Sequence, residues 1–289
     1  MQFSVLMSVY KNETVDNFKQ AMDSVINQTV SPDEIVLVRD GEVYEKLQEA
    51  IDEYLRVYPL LFTYIPLEEN GGLGNALRIG LNACRNELVA RMDTDDVCVE
   101  NRFEKQIDYF KKNSHVDIVG GYIAEFRESV DKVIDFRCVP TTDLEIKNRM
   151  KDRCPFNHQT VMFKKNAVIK AGNYEHFYLF EDYYLWLRML ILGANFGNLD
   201  ENLCYVRISN MSRRRGGMKY FKSYVRILKF MKQNRVVTYC EFVKCLIVRF
   251  CVYVLCPNKI RESVYRKFLR DKMVTKKNDY EIEKQTQEV

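Results

Sequence analysis

Short apolar runs alternate with amphipathic stretches over the first 92 residues. The apolar runs, which predict β-strands, cover residues 3–9, 34–38, 61–65 and 88–92. Apolar positions spaced three and four residues apart predict helices between them, over residues 15–27, 43–58 and 73–84. This βαβαβαβ order predicts a parallel sheet covered by helices on both faces. Right-handed crossovers would bring the carboxyl ends of all four strands to one edge, where ligands bind in open α/β sheets.

The pattern becomes mixed after residue 100. A helix is predicted over residues 102–113, and β-like segments over 118–126, 133–139 and 160–163. Two further helices are predicted over residues 165–171 and 183–192, each stopped by a glycine. Closing strands are expected over residues 194–198 and 203–208. We therefore expect antiparallel or irregular pairing in this half of the chain.

Charge is distributed unevenly along the 289 residues. The net charge is +4. Residues 1–212 form an acidic body with 24 basic and 33 acidic side chains, whereas residues 213–277 form a basic segment with 19 basic and 3 acidic side chains. The polar run of residues 210–217 marks the boundary between them. The nine cysteines form no Cys-x-x-Cys pair, so neither a zinc site nor a closed disulfide framework is indicated, and a reducing compartment is expected. Residues 1–13 lack the features of a secretory signal, and residues 3–9 predict a strand instead.

Three carboxylates, Asp93, Asp95 and Asp96, follow the fourth predicted strand directly. Carboxylates this close repel one another unless a cation neutralises them, and an oxygen-rich site suits Mg²⁺ or Mn²⁺ bridging to a diphosphate. On local sequence alone a second interpretation stays open, in which Asp95 or Asp96 caps the helix that leads to Arg102.

Polar loops also follow the second and third predicted strands. Asp40-Gly41 is either an ordinary turn or a nucleoside contact made by Asp40. The glycines around Asn70 permit close approach of the backbone to a ligand at a helix start. The loop lacks both the Gly-x-Gly-x-x-Gly dinucleotide pattern and the phosphate-binding lysine, which argues against a Rossmann dehydrogenase and a P-loop kinase.

A second acidic pair, Glu181-Asp182, opens the predicted helix of residues 183–192. Acids at a helix start are common as caps, and the functional alternative is a general base for an attacking hydroxyl. His158 precedes a predicted strand, and because a lone histidine is more often structural, it is a weak catalytic candidate.

Taken together and in this order, these segments resemble the family-2 glycosyltransferases, particularly the bacterial enzymes that build capsules and O-antigens. The matching motifs span roughly the first 210 residues and are Ser4-Val-Leu-Met-Ser-Val-Tyr10, Val38-Arg-Asp-Gly41, Asn70-Gly-Gly-Leu-Gly-Asn-Ala76, Ala90-Arg-Met-Asp-Thr-Asp-Asp96, His158-Gln-Thr-Val-Met-Phe163, Gly172-Asn-Tyr174 and Glu181-Asp-Tyr-Tyr-Leu-Trp-Leu-Arg188. The resemblance implies an α/β GT-A fold, with a Rossmann-like, mostly parallel sheet flanked by helices and a basic helical extension at the C-terminus.

The resemblance also implies roles for single residues. Asp40 would contact the base of a UDP-sugar, Asp93 would lie near the ribose, and Asp95, with Asp93, would form the metal-binding DxD motif for Mn²⁺ or Mg²⁺. The role of Asp96 is left open. Asp182 would be the catalytic base, held or tuned by Glu181. The remaining donor-site candidates are Asn70, Arg91 and Thr94.

The implied reaction is an inverting transfer of a hexose, galactose or glucose, from a UDP-sugar to a polyprenyl-diphosphate-linked saccharide. The implied organisation is a catalytic domain over residues 1–212, with a nucleotide-binding half (1–100) and an acceptor half (101–212), a basic amphipathic helical region (213–275) and a flexible polar tail (276–289). Gly172-Asn173-Tyr174 departs from the family's Gly-Gly-Tyr before the base helix, which puts the acceptor-side wall in question.

The basic region carries an apolar helical face that includes Phe242, Leu246 and Phe250. Because Lys244 and Arg249 interrupt it, a transmembrane span is disfavoured and a helix lying on an anionic membrane surface is predicted. A helix pair packed on the core with a solvated basic face is the alternative. The enzyme is thus expected in the cytoplasm, peripherally bound to the inner face of the cell membrane. The triple arginine, Arg213, Arg214 and Arg215, and His158 are candidate contacts for a diphosphate or the acceptor.

Three other functions are weighed against this one. A nucleic-acid role for the basic region is ranked lower because the body is acidic and no nucleic-acid motif is present. A nucleotidyltransferase would carry a glycine-rich basic loop after the first strand, where this chain has Tyr10-Lys-Asn-Glu13. A catalytically silent, membrane-binding scaffold is disfavoured because Asp93, Asp95 and Asp182 are all present.

Overall fold

Four parallel strands form the first half of one sheet in the computed structural model, which describes residues 1–208 and 216–257. They are β1 (Phe3–Val9), β2 (Glu34–Arg39), β3 (Phe62–Pro66) and β4 (Leu88–Asp93), in the spatial order β3-β2-β1-β4. The helices between them are α1 (Val15–Ile26), α2 (Glu45–Val57) and α3 (Leu73–Ala83). The predicted βαβαβαβ order is confirmed, and Thr14 caps α1 by accepting the Asn17 N–H.

The second half of the sheet mixes parallel and antiparallel pairs, as predicted. Its strands are β5 (Val97–Cys98), β6 (Ile118–Phe126), β7 (Val133–Arg137), β8 (Met162–Lys164) and β9 (Phe196–Arg207). Its helices are α4 (Arg102–Lys112), α5 (Asp143–Arg149), a 3₁₀ turn (His158–Thr160), α6 (Lys165–Lys170) and α7 (Glu181–Ile191). Strand β8 pairs antiparallel with β4 and β6, β5 pairs antiparallel with β9, and β6 runs parallel to β9.

Several elements differ from the sequence-based expectation, among them the short strand β5 and the 3₁₀ turn, neither of which was predicted. The separate closing strands expected over residues 194–198 and 203–208 are one continuous strand, β9, whose pairing with β6 shifts register near Gly120 and Tyr122. Helix α5 was not predicted. Its start is fixed by a capping box in which the Thr142 hydroxyl accepts the Glu145 N–H and the Glu145 side chain bonds back.

The core lies on both faces of the sheet, because alternate residues of each buried strand point to opposite sides. On one face Leu6 and Val36 pack under α3 and α7, and on the other Val5 and Met7 pack under α1, α2 and α4. The strands β1, β2 and β4 are therefore covered on both faces, which explains their nearly continuous apolar sequences, whereas the edge strand β3 is only half-buried. This packing fixes the strand ends, and with them the acidic loops, at one edge.

Two further helices, α8 (Gly217–Gln233) and α9 (Tyr239–Phe250), follow, and a π-helical turn (Cys251–Leu255) continues α9. Helix α8 joins the core: the Tyr220 ring stacks on Phe180, with centroids 4.8 Å apart. Much of the predicted apolar face of α9, including Phe242 and Leu246, packs against this core, whereas Ile247 is 58% exposed. Among the described helices, none has the length and hydrophobicity that crossing a bilayer requires. Residues 209–215 and 258–289, including the predicted polar tail, lie outside the described part of the chain.

Candidate active site

The end of β4 carries the acid cluster. Asp93 is its last residue, and the following turn brings carboxylate oxygens of Asp93, Asp95 and Asp96 within 4.8 Å of one another. The end of β9 holds this turn in place. The Arg207 N–H donates to Asp96 Oδ1 at 2.8 Å, and its Nε donates to the Asp95 carbonyl at 3.2 Å.

The cluster concentrates negative charge at a partly buried position, with Asp96 buried and Asp93 and Asp95 half-buried. Burial, and then the charge of Asp93, raise the pKa of Asp95 to about 7. Burial and the neighbouring Asp95 raise the pKa of Asp96 well above its ordinary value. Convergent oxygen ligands whose mutual repulsion a cation would relieve fit a hard divalent ion such as Mg²⁺ or Mn²⁺. The helix-capping alternative is wrong, since α4 begins after Asn101, which makes no side-chain cap.

Arg91 is the cation next to the cluster. It lies two residues before Asp93 on β4, only 1% exposed, and its Nη2 forms an ion pair with Asp93 Oδ1. Its Nε and Nη1 have no hydrogen-bond partner among the described residues. Because guanidinium groups stay protonated, Arg91 is a fixed, only partly paired positive charge under the site.

Thr94 stabilises the turn that follows β4. Its hydroxyl donates to Glu13 Oε2 at 2.9 Å and lies 3.3 Å from the Ser8 carbonyl, and the residue is 3% exposed. The side chain therefore ties the acid turn to the end of β1. Glu13, which the sequence did not single out, is the buried partner that makes this tie.

Asp40 and Asn70 are brought together, as their positions at strand ends predict. Asn70 Nδ2 donates to Asp40 Oδ2 at 3.0 Å, and the Gly71 N–H donates to Oδ1 at 2.8 Å. Gly41 has φ +83°, and a Cβ there would lie 2.8 Å from the Asn70 nitrogen, so only glycine fits the turn. Asp40 thus anchors the glycine-rich loop against β2.

The glycine-rich loop also meets the start of α7. A Cβ on Gly74 would lie 2.7 Å from the Glu175 carbonyl and 3.4 Å from Glu181 Cβ. The missing side chain therefore lets the first turn of α3 approach the acidic end of α7. The nucleotide-side loop and the predicted base helix are direct neighbours.

Glu181 and Asp182 occupy the first turn of α7, after Phe180, which makes no side-chain cap. Burial and the adjacent Asp182 raise the pKa of Glu181 to about 7. The Oδ2 of Asp182 accepts a hydrogen bond from the Cys154 thiol at 3.6 Å. Glu181 is thus poised to hold a proton near neutral pH, as a residue that tunes its neighbour would be.

His158 and Tyr174 line the same side of the site. His158 Nε2 lies 3.0 Å from the Tyr174 hydroxyl, and burial with the charge of Arg91 lowers the pKa of His158 well below its usual value. A neutral His158 adds no positive charge to the site, and its ring is engaged by the Tyr174 hydroxyl. The ring of Trp186 packs edge-on to both residues, with centroids 6.1 and 6.4 Å away.

The Gly-Asn-Tyr departure has a local explanation. Asn173 takes φ +61°, a left-handed conformation that glycine adopts freely and that asparagine tolerates better than most residues. Its amide donates to the Arg78 carbonyl at 3.2 Å and to Asn82 Oδ1 at 3.0 Å, which ties the wall to α3. Asn173 therefore keeps the backbone conformation that glycine would adopt at this position, and its side chain adds two hydrogen bonds.

Arg102, buried under the cluster, was missed by sequence reasoning. Its Nη2 donates to the Arg91 carbonyl at 2.8 Å, and its Nη1 lies 3.2 Å from both Cys98 Sγ and Cys204 Sγ. A basic residue opening an amphipathic helix predicts a surface position, so no local signal identified it. Of the predicted site residues, Arg213, Arg214 and Arg215 lie outside the described segments.

The fold and site together are an open α/β sheet with an acid cluster at its carboxyl edge and a second acid pair nearby, an arrangement compatible with a nucleotide-sugar site. A family model for glycosyl transferase family 2 matches residues 4–177, so the chain belongs to this family.

Relatives cover nearly the whole chain. It is 38% identical to the amylovoran biosynthesis glycosyltransferase AmsE of Erwinia amylovora, over 92% of this chain and 98% of that protein. It is 37% identical to the UDP-Gal:α-D-GlcNAc-diphosphoundecaprenol β-1,3-galactosyltransferase of Escherichia coli, over 93% and 97%. Among solved structures, S. aureus TarS 1–349 in complex with UDP-GlcNAc aligns with a TM-score of 0.65 at 16% identity, over 94% and 77%, which supports the fold.

Proposed function

We propose that this enzyme transfers a hexose, galactose or glucose, from a UDP-sugar to a lipid-diphosphate-linked saccharide during synthesis of a bacterial surface polysaccharide. The observation that carries the proposal is the juxtaposition of the Asp93–Asp96 cluster with the Glu181-Asp182 pair: the charges of Asp93 and of Arg91 both act on the pKa of Glu181, so the two acidic groups belong to one site. The galactosyltransferase relative, whose name specifies UDP-Gal and a diphosphoundecaprenol-linked GlcNAc, supports both the donor and the acceptor class.

The donor occupies the carboxyl edge of the sheet. Asp40 faces the nucleoside: its oxygens already accept bonds from Asn70 and Gly71, and a carboxylate has about four lone-pair sites, so it retains acceptor capacity. Asp93 lies towards the ribose and Asp95 towards the diphosphate, and Arg91 adds positive charge. Asp95, with Asp93, would hold Mn²⁺ or Mg²⁺, which when bound offsets negative charge on the leaving diphosphate.

Asp182 is the general base. Its carboxylate takes the proton of the acceptor hydroxyl as that oxygen bonds to the anomeric carbon, and the bond from that carbon to the UDP oxygen breaks on the opposite face. The electron pair of the broken bond leaves with UDP. One in-line displacement inverts the anomeric centre, so an α-linked donor gives a β-glycoside. Because the pKa of Glu181 is raised to about 7, Glu181 is protonated in part of the population at neutral pH, which reduces the negative charge next to Asp182.

Membrane attachment through α8 and α9 belongs to the same proposal. Four exposed cations repeat every three or four residues on one face of α8, which contains no Asp or Glu: Lys219, Lys222, Arg226 and Lys229. On the helix that follows, α9, and the turn that continues it, Ile247, Val248 and Leu255 are 58%, 48% and 64% exposed. Cationic and apolar side chains on adjoining helices match an anionic lipid surface. We place the enzyme in the cytoplasm, at the inner face of the membrane that holds its acceptor.

The deciding experiment measures UDP release from a panel of UDP-sugars with Mn²⁺ or Mg²⁺ and a synthetic lipid-diphosphate-GlcNAc or -GalNAc acceptor. Asp182→Asn should lower turnover about 10²- to 10⁴-fold, the usual contribution of a general base. Asp52→Asn, at an exposed position in the middle of α2, is the matched control and should retain activity. The anomeric proton coupling of the product, read by NMR, should report a β-linkage.

Each alternative has its own outcome. Metal-dependent UDP binding without turnover on any acceptor would favour a silent scaffold. Pyrophosphate release from a nucleoside triphosphate would favour a nucleotidyltransferase, and absence of nucleotide binding would refute the proposal.

Cosedimentation with lipid vesicles tests the membrane surface. The protein should bind vesicles that contain anionic lipid better than neutral vesicles, and the double variant Ile247→Ser/Val248→Ser should bind more weakly. Val57→Ser, at a 57% exposed position on α2, is the matched control. Equal binding by all three proteins would show that α9 does not contact the bilayer.

A further inference from the structure

Cys154 lies at the proposed base, and no motif pointed to it. Its thiol is 3.6 Å from Asp182 Oδ2, although the two residues are 28 positions apart in the chain. This is the one hydrogen bond that Asp182 makes through its side chain to the described residues. At the start of α7, where Phe180 provides no side-chain cap, the thiol is therefore the group available to orient the carboxylate.

The segment that carries Cys154 is firmly held. Buried Asn157 donates through Nδ2 to the Gly121 carbonyl at 2.8 Å, and Asn198 donates to the Pro155 carbonyl at 3.2 Å. Both contacts tie the segment to β6 and β9 in the central sheet. The position of the thiol is thus set by the scaffold, which is the condition for one side chain to orient another.

The thiol is also held in the form that donates. Burial, and then the negative charge of Asp182, raise the pKa of Cys154 well above its ordinary value. At neutral pH the sulfur therefore carries its proton, and a second acceptor, the Phe156 carbonyl, lies 3.6 Å away.

We infer that Cys154 is a positioning residue for Asp182. Its thiol orients the Oδ2 atom of Asp182 towards the acceptor hydroxyl while leaving the carboxylate basic. A hydrogen bond to a carboxylate stabilises its charged form and lowers its pKa, and a strong donor would weaken a base in this way. A thiol is a weak donor, so it supplies direction with little loss of basicity. The inference rests on the proposed role of Asp182.

The test compares Cys154→Ala and Cys154→Ser with the wild type in the UDP-release assay across pH. Loss of one weak hydrogen bond should lower kcat of the alanine variant roughly three- to tenfold, with the KM for the UDP-sugar unchanged. The serine variant keeps a donor and should recover part of kcat. Because a hydroxyl is the stronger donor, the acidic limb of its kcat/KM profile should move to lower pH.

Cys84 provides the matched control. It is a buried thiol in the turn between α3 and β4, and its charged neighbours are Glu34 and Lys165 and do not include Asp182, so Cys84→Ala and Cys84→Ser should leave the pH profile unchanged. Urea unfolding of all four variants separates a loss of folding from a loss of orientation. The inference would be overturned if Cys154→Ala and the wild type had the same kcat and the same pH profile.

A second measurement does not depend on turnover. The S–H stretching band of Cys154, isolated as the infrared difference between the wild type and Cys154→Ser, should shift when Asp182 is replaced by asparagine. An unshifted band would overturn the contact. If the band shifts but no UDP-sugar reacts, the contact stands and the proposed function falls, so the two failures are distinguishable.

Discussion

Replacing Glu181 by glutamine should stabilise the protein by an amount that grows with pH. Burial and the nearby Asp182 raise the pKa of Glu181 from 4.5 to about 7, so the folded state binds this proton more tightly than the unfolded chain. Below pH 4.5 both states are protonated and the group has no effect. Between pH 4.5 and 7 this carboxyl is ionised in the unfolded chain but still protonated in the folded protein, so the free energy of unfolding falls as the pH rises. Above pH 7 the carboxyl is ionised in both states, and the free energy of unfolding falls no further.

The magnitude follows from the pKa difference of about 2.5 units, 7 minus 4.5, at 1.36 kcal/mol per unit. This carboxyl should lower the free energy of unfolding of the wild type by about 3 kcal/mol at pH 8 and by about 1 kcal/mol at pH 5. Glutamine has nearly the same shape and does not titrate. The Glu181→Gln variant should therefore gain about 2 kcal/mol more at pH 8 than at pH 5, relative to the wild type.

The assay is urea unfolding at both pH values, in EDTA, followed by fluorescence of Trp186, the single tryptophan of the chain. Glu68→Gln removes an exposed carboxylate and serves as the control, with the same small change at both pH values. A gain for Glu181→Gln that is equal at pH 5 and pH 8, or a loss at pH 8, would refute the reasoning.

Three further predictions concern the site. Gly74→Ala should destabilise the fold by about 1–3 kcal/mol, because its Cβ would lie 2.7 Å from the Glu175 carbonyl; the shift of the urea midpoint measures this. Asp93→Asn should destabilise the fold by about 1–3 kcal/mol, because the buried Arg91 loses its ion pair while repulsion within the acid cluster is relieved; an unchanged or raised urea midpoint would contradict it. Neutral substitution of the arginines at 213–215 should raise the KM for the donor or the lipid-linked acceptor, and unchanged kinetics would exclude that contact.

The parts predicted correctly depend on local pattern. Apolar runs fixed the first four strands within one or two residues, and parallel strands necessarily bring Asp40, Asn70 and Asp93 to one edge. Glu181 and Asp182 were located by their position at a helix start. Such inferences need only the periodicity of a segment and the geometry of a parallel sheet.

The parts that were missed depend on pairing between distant segments. Cys154 meets Asp182 only because the turn after α5 folds back beside α7. Arg102 looks like a surface residue until β5 and β9 bring Cys98 and Cys204 beneath it. The capping box of helix α5 is visible in the sequence. The helix has only seven residues, however, which are too few for a clear apolar period.

The bond from the Arg207 N–H to Asp96 joins positions 111 residues apart and has a consequence for biosynthesis. Chains grow from the N-terminus, so the acid turn emerges from the ribosome long before β9, the strand that holds it. A nascent chain that stops between β4 and β9 would carry the three aspartates without their clamp. The acid turn is therefore held in its final position only once β9 has been synthesised, near the end of the residues that form the sheet.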